Sequence, residues 1–194
     1  MQESKPYTFI DLFAGCGGLS EGFLQSSEFD GLAHVEWELP MVETLRHRLN
    51  KKWSHTAEDA FKRVVHFDIQ KSEELIEGNW KKKSIKDFGA TNHSDVLSKG
   101  LKGLVNDRKV DLIVGGPPCQ AYSIAGRAQD KNSMQDDYRN YLFESFIKVV
   151  EAFTPEMFVF ENVPGMLSAA PGGIPVTQRV EKAFKKAGYT IKKA

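Results

Sequence analysis

YTFIDLF (residues 7–13) runs straight into AGCGG (residues 14–18), and the reading of this junction decides the fold. The first half is β-branched and aromatic, a composition suited to a pleated, buried strand. The second half is a turn of small residues, and residues 19–25 beyond it carry a helical pattern. A strand, a glycine turn and a helix in that order make the opening unit of a ligand-binding α/β sheet.

Outward from this unit the alternation repeats. GLAHVEW (residues 31–37) reads as a second strand, followed by a long helix over residues 39–52. Residues 64–67 read as a short third strand leading into Asp68 and Ile69. VDLIV (residues 110–114) is a near-continuous apolar run, as expected of a parallel strand buried on both faces. Residues 141–153 have helical spacing, residues 157–160 form another buried strand, residues 176–187 another helix, and residues 189–191 are expected to open one more strand. The pattern predicts an α/β domain with a mainly parallel sheet and flanking helices. Ligands of such sheets sit at the carboxyl ends of the strands, where every motif described below falls. Residues 70–109 differ: they are polar and carry Lys81, Lys82 and Lys83. They are expected to be a helical insertion in a single domain spanning residues 1–194. The lysine run reads as a solvated face, ahead of the alternative of a substrate-facing basic patch.

Composition sets the bounds. The 194 residues are 41% apolar and 27% charged, which is ordinary for a globular domain. Lys and Arg number 26 and Asp and Glu 26, so the formal charge is zero. Phosphate-backbone affinity comes largely from Lys and Arg, so a nucleic-acid surface must be locally basic or lie outside this chain. Cys16 and Cys119 are too few for a disulfide framework, and no Cys/His spacing suggests a metal site. There is no signal-peptide pattern and no apolar run of membrane-spanning length. The expected setting is a reducing cytoplasm, away from membranes.

Gly15, Gly17 and Gly18 let a ligand approach the backbone, and the helix that follows offers free N–H groups. Glu36 lies 21 residues after Gly15, at the end of the second strand, where a carboxylate can accept from both hydroxyls of a ribose. These features fit a dinucleotide and S-adenosylmethionine equally well. Ser20 stands where a strict GxGxxG motif has its third glycine. Trp37 offers a face to an adenine ring, or is simply a rim aromatic. Asp68 and Ile69 suit the edge of an adenine, although an Asp at a strand end is more often a turn residue.

GGPPCQAYS (residues 115–123) follows the buried strand VDLIV, and two prolines stiffen the turn that carries Cys119. A free cysteine is usually a small buried hydrophobe. A rigid turn beside a predicted ligand site argues for a reactive one. Glu161 ends the next strand, in EMFVFENV (residues 156–163), which would set it over the same cleft.

DLFAGCGGLSEGF (residues 11–23), VEWE (35–38), FDI (67–69), GGPPCQAYS (115–123), RNYLF (139–143) and FENVPGM (160–166) follow one another as the motifs of the cytosine-C5 methyltransferases do. From residue 8 to about residue 190 the chain resembles that family. The resemblance implies a Rossmann-like, S-adenosylmethionine-dependent methyltransferase fold. It implies that Phe13 packs on the adenine of the cofactor, Glu36 holds its ribose, Trp37 stacks on the base, Asp68 and Ile69 contact its edge, and Pro118 and Leu142 wall the pocket. It implies Cys119 as the nucleophile and Glu161 as the residue at cytosine N3. The chemistry needs these types: a thiolate added at C6 makes C5 nucleophilic, and a carboxyl group at N3 stabilises the charge that develops in the ring. The target base must be flipped out of its stack.

The implied substrate is DNA, within a restriction-modification system that includes a cognate endonuclease. RNA stays open, because transfer-RNA cytosine methyltransferases share the PPCQ and ENV motifs, and so does a catalytically silent S-adenosylmethionine-binding module. A Rossmann oxidoreductase gives PPCQ no role. Family members continue past the equivalent of Ala194 with a target-recognition region, so the chain is expected to be a piece of a longer protein, inactive alone. Residues 124–137, with Gly126, Arg127 and Lys131, are expected to form a mobile lid over the flipped base.

Overall fold

The computed structural model describes residues 5–118, 142–162, 166, 170 and 173–192. Five strands, β1 (Tyr7–Leu12), β2 (Phe29–Glu36), β3 (Val64–His66), β4 (Leu112–Gly115) and β5 (Met157–Phe160), form one sheet in the order β3-β2-β1-β4-β5. Every pairing is parallel. The order reverses between β1 and β4, which opens a crevice at the carboxyl edge. The expected α/β architecture is therefore the observed one.

Parallel pairing demands that both faces be covered, and the side-chain alternation of each strand divides them. Phe9, Val64, Leu112 and Val114 join one apolar cluster with Leu24, Val42, Leu45 and Leu49. Those partners come from α1 (Gly18–Gln25) and α2 (Leu39–Lys52), with Ala60 of α3 (Ala57–Arg63) beside them. Ile10, Leu12, Val65 and Ile113 face the other way, into a larger cluster. There the cover is α4 (Ser72–Glu77), α5 (Lys82–Phe88), α6 (Ser94–Val105), α7 (Leu142–Phe153) and α8 (Val176–Lys186). Phe158 of β5 stacks on Phe184 of α8, with ring centroids 4.0 Å apart.

Two stretches differ in detail from the sequence expectation. Residues 70–109 are helical, but Leu75, Ile76, Trp80, Val96, Leu101, Leu104 and Val105 are all buried in the larger cluster, and Trp80 stacks on Phe67 at 4.0 Å. The polar average of the segment hides these residues because they are split between α4, α6 and, for Trp80, the connection that follows α4, and α6 is itself broken by the kink at Gly100. Residues 189–192 belong to no strand: Tyr189 instead packs on Phe158 and donates its hydroxyl to the Pro155 carbonyl at 2.7 Å. None of the described helices is long and apolar enough to cross a membrane.

The close packing of α4 on α6 rests on glycine. Gly100 kinks α6 with φ 58° and ψ −155°, a backbone state that disfavours a Cβ. A Cβ there would lie 2.5 Å from the Ile76 carbonyl oxygen and 2.6 Å from that of Leu75. Gly22, inside α1, has open space around the same position. Gly100→Ala is expected to destabilise the protein by more than about 2 kcal/mol in urea unfolding, whereas Gly22→Ala is expected to raise stability by about 0.5 kcal/mol through the unfolded chain. Equal effects of the two substitutions would mean that the α4–α6 contact is not the constraint described.

Candidate functional site: a carboxylate-centred pocket at the sheet's carboxyl edge

The register of the sheet brings the strand ends level. Leu12 pairs with both Val35 and Gly115, Glu36 pairs with His66, and Gly115 pairs with Phe160. The loops leaving β1, β2, β3 and β4 therefore emerge together and enclose a pocket of about 340 Å³. That volume is within the range of small-ligand and cofactor sites.

The turn after β1 is shaped by left-handed backbone. Phe13, Gly15 and Gly17 have φ of 60°, 55° and 86°. Ala14 N–H donates to the Val35 carbonyl at 3.0 Å and Gly17 N–H to the Ala14 carbonyl at 2.8 Å, so the turn is pinned to β2 as well as to itself. Arg48 of α2 adds a bond to the Cys16 carbonyl at 2.5 Å and pairs with Glu21 of α1. Phe13 and Gly15 line the pocket; Gly17 and Gly18 do not, and serve instead to start α1.

Glu36 is the centre of the site. Its side chain is buried, and its two oxygens are spoken for differently. Oε1 accepts from the Trp37 and Glu38 N–H groups, each at 2.8 Å, while Oε2 accepts from Gly15 N–H at 2.8 Å. A carboxylate oxygen has two accepting sites, so Oε2 keeps one for a donor in the pocket. The carboxylate is thus pre-oriented by backbone amides that need no reorganisation when a ligand arrives.

Beside it, half of Trp37 is exposed and its indole N–H donates to Glu38 Oε1 at 2.8 Å. The Trp37 carbonyl lies 2.9 Å from His66 Nε2, and Thr91 Oγ1 lies 2.7 Å from His66 Nδ1. Burial holds the His66 pKa below its ordinary value, so the ring is neutral at physiological pH. A neutral ring that donates through Nε2 accepts at Nδ1, so the single Thr91 hydroxyl hydrogen is shared between Nδ1 and the Phe88 carbonyl, 2.8 Å away. Asn92 completes the brace, accepting from the His66 N–H at 2.9 Å and donating to the His66 carbonyl at 2.8 Å. Its side-chain amide satisfies the open edge of β3 as a neighbouring strand would. Beyond β3, Asp68 accepts from Gln70 N–H at 3.0 Å, the turn role expected of an Asp there, while Asp68, Ile69 and Gln70 also line the pocket.

The opposite wall comes from Gly116 and Pro118 after β4 and from Leu142 at the start of α7. Glu161 follows β5; its N–H donates to the Gly115 carbonyl at 2.9 Å, and its side chain lies against Gly116. A Cβ on Gly116 would sit 2.3 Å from Glu161 Oε2, so this carboxyl group occupies the space that the glycine leaves. Cys119 and residues 124–137 lie outside the described residues.

Of the residues singled out in the sequence, Phe13, Gly15, Glu36, Trp37, Asp68, Ile69, Pro118 and Leu142 line one pocket, with Glu161 against its wall. Val35, Glu38, Met41, Phe67, Gln70 and Gly116 complete the lining and were not singled out. Most are neighbours of chosen residues and carry no distinctive pattern of their own. The Thr91–Asn92 brace had no signal at all, because a side-chain amide pairing with a strand edge leaves no periodicity. Among the described residues no cluster of His, Cys, Asp and Glu could hold a metal ion.

Comparison with known proteins places this geometry. The family model for C-5 cytosine-specific DNA methylase matches residues 7–78 and 54–194. The chain is 38% identical to the type II methyltransferase M.Bpa9945I of Bacillus paralicheniformis, over 94% of this chain and 46% of that protein. It is 31% identical to the type II methyltransferase M1.HphI of Haemophilus parahaemolyticus, over 95% of this chain and 39% of that one. Among solved structures, a prophage-encoded Escherichia coli protein described as a candidate DNA modification methyltransferase superposes with a TM-score of 0.55 at 27% identity, over 93% of this chain and 38% of its own. The chain thus spans less than half the length of each of these relatives. The matched motifs run through the strand ends that build the pocket, and the chain belongs to the C-5 cytosine-specific DNA methylase family.

Proposed function

We propose that this chain is the cofactor-binding and nucleophile-bearing part of a DNA cytosine-C5 methyltransferase of a restriction-modification system, working in the cytoplasm alongside a cognate endonuclease. The observation that carries the reading is the pairing of two carboxyl groups at one sheet edge. Glu36 is held by three backbone amides on one side, and Glu161 lies against Gly116 on the other. The first suits a sugar diol and the second a ring nitrogen, so a nucleoside cofactor and a target base would meet between them.

The pocket residues fit S-adenosylmethionine. Glu36 Oε2 has an acceptor site left for a ribose hydroxyl, Trp37 and Phe13 offer aromatic faces to adenine, and Asp68 offers an acceptor to its amino group. When bound, the cofactor supplies the methyl group for C5. Cys119 directly follows Pro118 of the pocket wall; its thiolate adds to C6 of the flipped cytosine, and the ring's electrons are pushed toward C5 and N3. Glu161 donates to N3 and stabilises that charge. Loss of the C5 proton then expels the Cys119 thiolate and restores the ring.

Three outcomes follow. Glu36→Ala is expected to weaken binding of S-adenosylhomocysteine by at least roughly tenfold in calorimetry, the worth of a hydrogen bond to a charged group; unchanged affinity would remove Glu36 from the ribose. In the complete protein, Gly116→Ala is expected to push the Glu161 carboxyl aside. Turnover at saturating cofactor should fall by at least roughly tenfold, with a modest loss of thermal stability, because the hard clash is with a side-chain end and the Glu161 carbonyl oxygen, 3.3 Å from the added Cβ, need give only slightly. Full turnover in that variant would show that Glu161 does not act from this position. Finally, 5-fluorocytosine DNA mixed with the complete protein and cofactor is expected to trap a covalent adduct at Cys119, since fluorine cannot leave C5 as a proton does. Cys119→Ser should abolish it. Methyl transfer with no adduct on Cys119 would refute the nucleophile assignment.

A further inference from the structure

Beneath the glycine turn lies a buried polar cluster that the proposed chemistry does not use. Asp11 of β1, Ser20 of α1 and His34 of β2 are all buried, at 0%, 1% and 1% exposure. Ser20 Oγ is 2.5 Å from Asp11 Oδ2 and 2.8 Å from His34 Nδ1. The other carboxyl oxygen, Asp11 Oδ1, is buried with no hydrogen-bond partner among the described residues. The imidazole fits only because residue 31 has no side chain: a Cβ on Gly31 would lie 2.7 Å from His34 Nε2.

The hydrogen count is decisive. The Ser20 hydroxyl has one hydrogen, and an ionised Asp11 and an unprotonated Nδ1 are both acceptors. One hydrogen cannot serve both, so with a neutral imidazole and any Asp11 proton on Oδ2, two arrangements satisfy the chain. In the first, Asp11 carries a proton on Oδ2 and donates it to Ser20, Ser20 donates to His34 Nδ1, and the imidazole hydrogen is on Nε2. In the second, the Asp11 proton has left to solvent, Ser20 donates to Asp11 Oδ2, and the imidazole hydrogen is on Nδ1, donating to Ser20. The two differ by one proton and by the tautomer of His34.

We propose that Asp11, Ser20 and His34 are positioning residues, a buried proton relay whose state sets how α1 is anchored to the sheet and so how the glycine turn meets its ligand. This rests on the cofactor reading above for the identity of that ligand, while the relay itself stands on the cluster. The placement connects both ends to the site. Ser20 lies in the first turn of α1, three residues after Gly17, and His34 lies two residues before Glu36, which accepts from Gly15 N–H. Ser20 also occupies the third-glycine position of the dinucleotide pattern, which the turn itself does not require.

Burial, more than the surrounding charges, puts the change of state near neutrality. Burial pushes Asp11 up to about 7, against the Ser20 hydroxyl and N–H bonds that lower it, and the Glu36 charge adds to the rise. Burial holds His34 down to about 3, with Arg63 of α3 and His55 acting the same way and Asp30 of β2 opposing. His34 therefore stays neutral throughout, and Asp11 is the group that titrates. The raised pKa means that the folded chain holds this proton more tightly than the unfolded one. The ionised state, with Asp11 Oδ1 lacking a partner among the described residues, is therefore the less stable, and the anchoring of the turn weakens as pH rises through the Asp11 midpoint.

The test is a pH titration of the 194-residue chain from about pH 5.5 to about pH 8.5, followed by nitrogen NMR of the imidazoles and of the backbone amides. The expected result is that His34 stays neutral while its hydrogen moves from Nε2 to Nδ1, and that the amides of Gly15, Gly17 and Gly18 shift with the same midpoint. Asp11→Asn and Ser20→Ala should each lock the tautomer and flatten the amide response. S-adenosylhomocysteine affinity should fall several-fold as pH rises across the wild-type midpoint and change less than about twofold in Asp11→Asn. A single His34 tautomer over the whole range in the wild type, or amides that do not follow it, would overturn the proposal without recourse to any variant. A coupled switch without nucleoside binding at any pH would leave the relay standing and refute the cofactor reading.

Discussion

Three backbone N–H groups converge on the Glu36 carboxylate, and the rest of the site is arranged around that convergence. Gly15 comes from the turn after β1, while Trp37 and Glu38 come from the entry to α2. The carboxylate therefore ties the β1 turn to the end of β2 and fixes the spacing of the two loops that form half the pocket. A buried carboxylate without such partners would be costly. With them, it becomes a rigid acceptor whose one remaining site faces the ligand's choice of donor. The glycine at position 15 matters here for its N–H as much as for its conformation.

The parallel register is what makes this local device into a site. Level strand ends bring Asp68 and Ile69 after β3, and Gly116 and Pro118 after β4, around the same space as Glu36. The edge strand β3 would be the weak point, with its outer backbone groups exposed to solvent. Asn92 and Thr91 remove that weakness and at the same time hold His66, which in turn bonds the Trp37 carbonyl. A segment that looks like a polar insertion thus supports the aromatic wall of the pocket from behind. The buried Asp11–Ser20–His34 chain does the same beneath the glycine turn, at the cost of a buried carboxyl group whose Oδ1 has no hydrogen-bond partner among the described residues.

Much of this is legible in the chain alone. Strand composition, the glycine turn, the 21-residue step from Gly15 to Glu36, and the Pro-Pro-Cys turn after VDLIV are local patterns, and local patterns survive in a linear string. What was illegible depends on pairs of residues far apart in sequence. Ser20 read only as a departure from a glycine motif, and His34 as one scattered histidine among five; their contact joins α1 to β2 and has no sequence period. Tyr189 read as strand-forming by composition, yet no strand forms there among the described residues, because its ring is taken up by Phe158 and its hydroxyl by Pro155.

The sequence by itself determined the class of the fold, the family, and the residue types available for chemistry, because each is encoded in short runs whose hydrogen bonding and burial are nearly independent of distant parts. The tertiary structure alone decided which of those residues share a wall, that Glu161 fills the space left by Gly116, and that Thr91 and Asn92 brace the strand they are 25 and 26 residues from. These follow from the level register of a parallel sheet and from the need of every buried polar group for a partner, constraints that act through space and not along the chain.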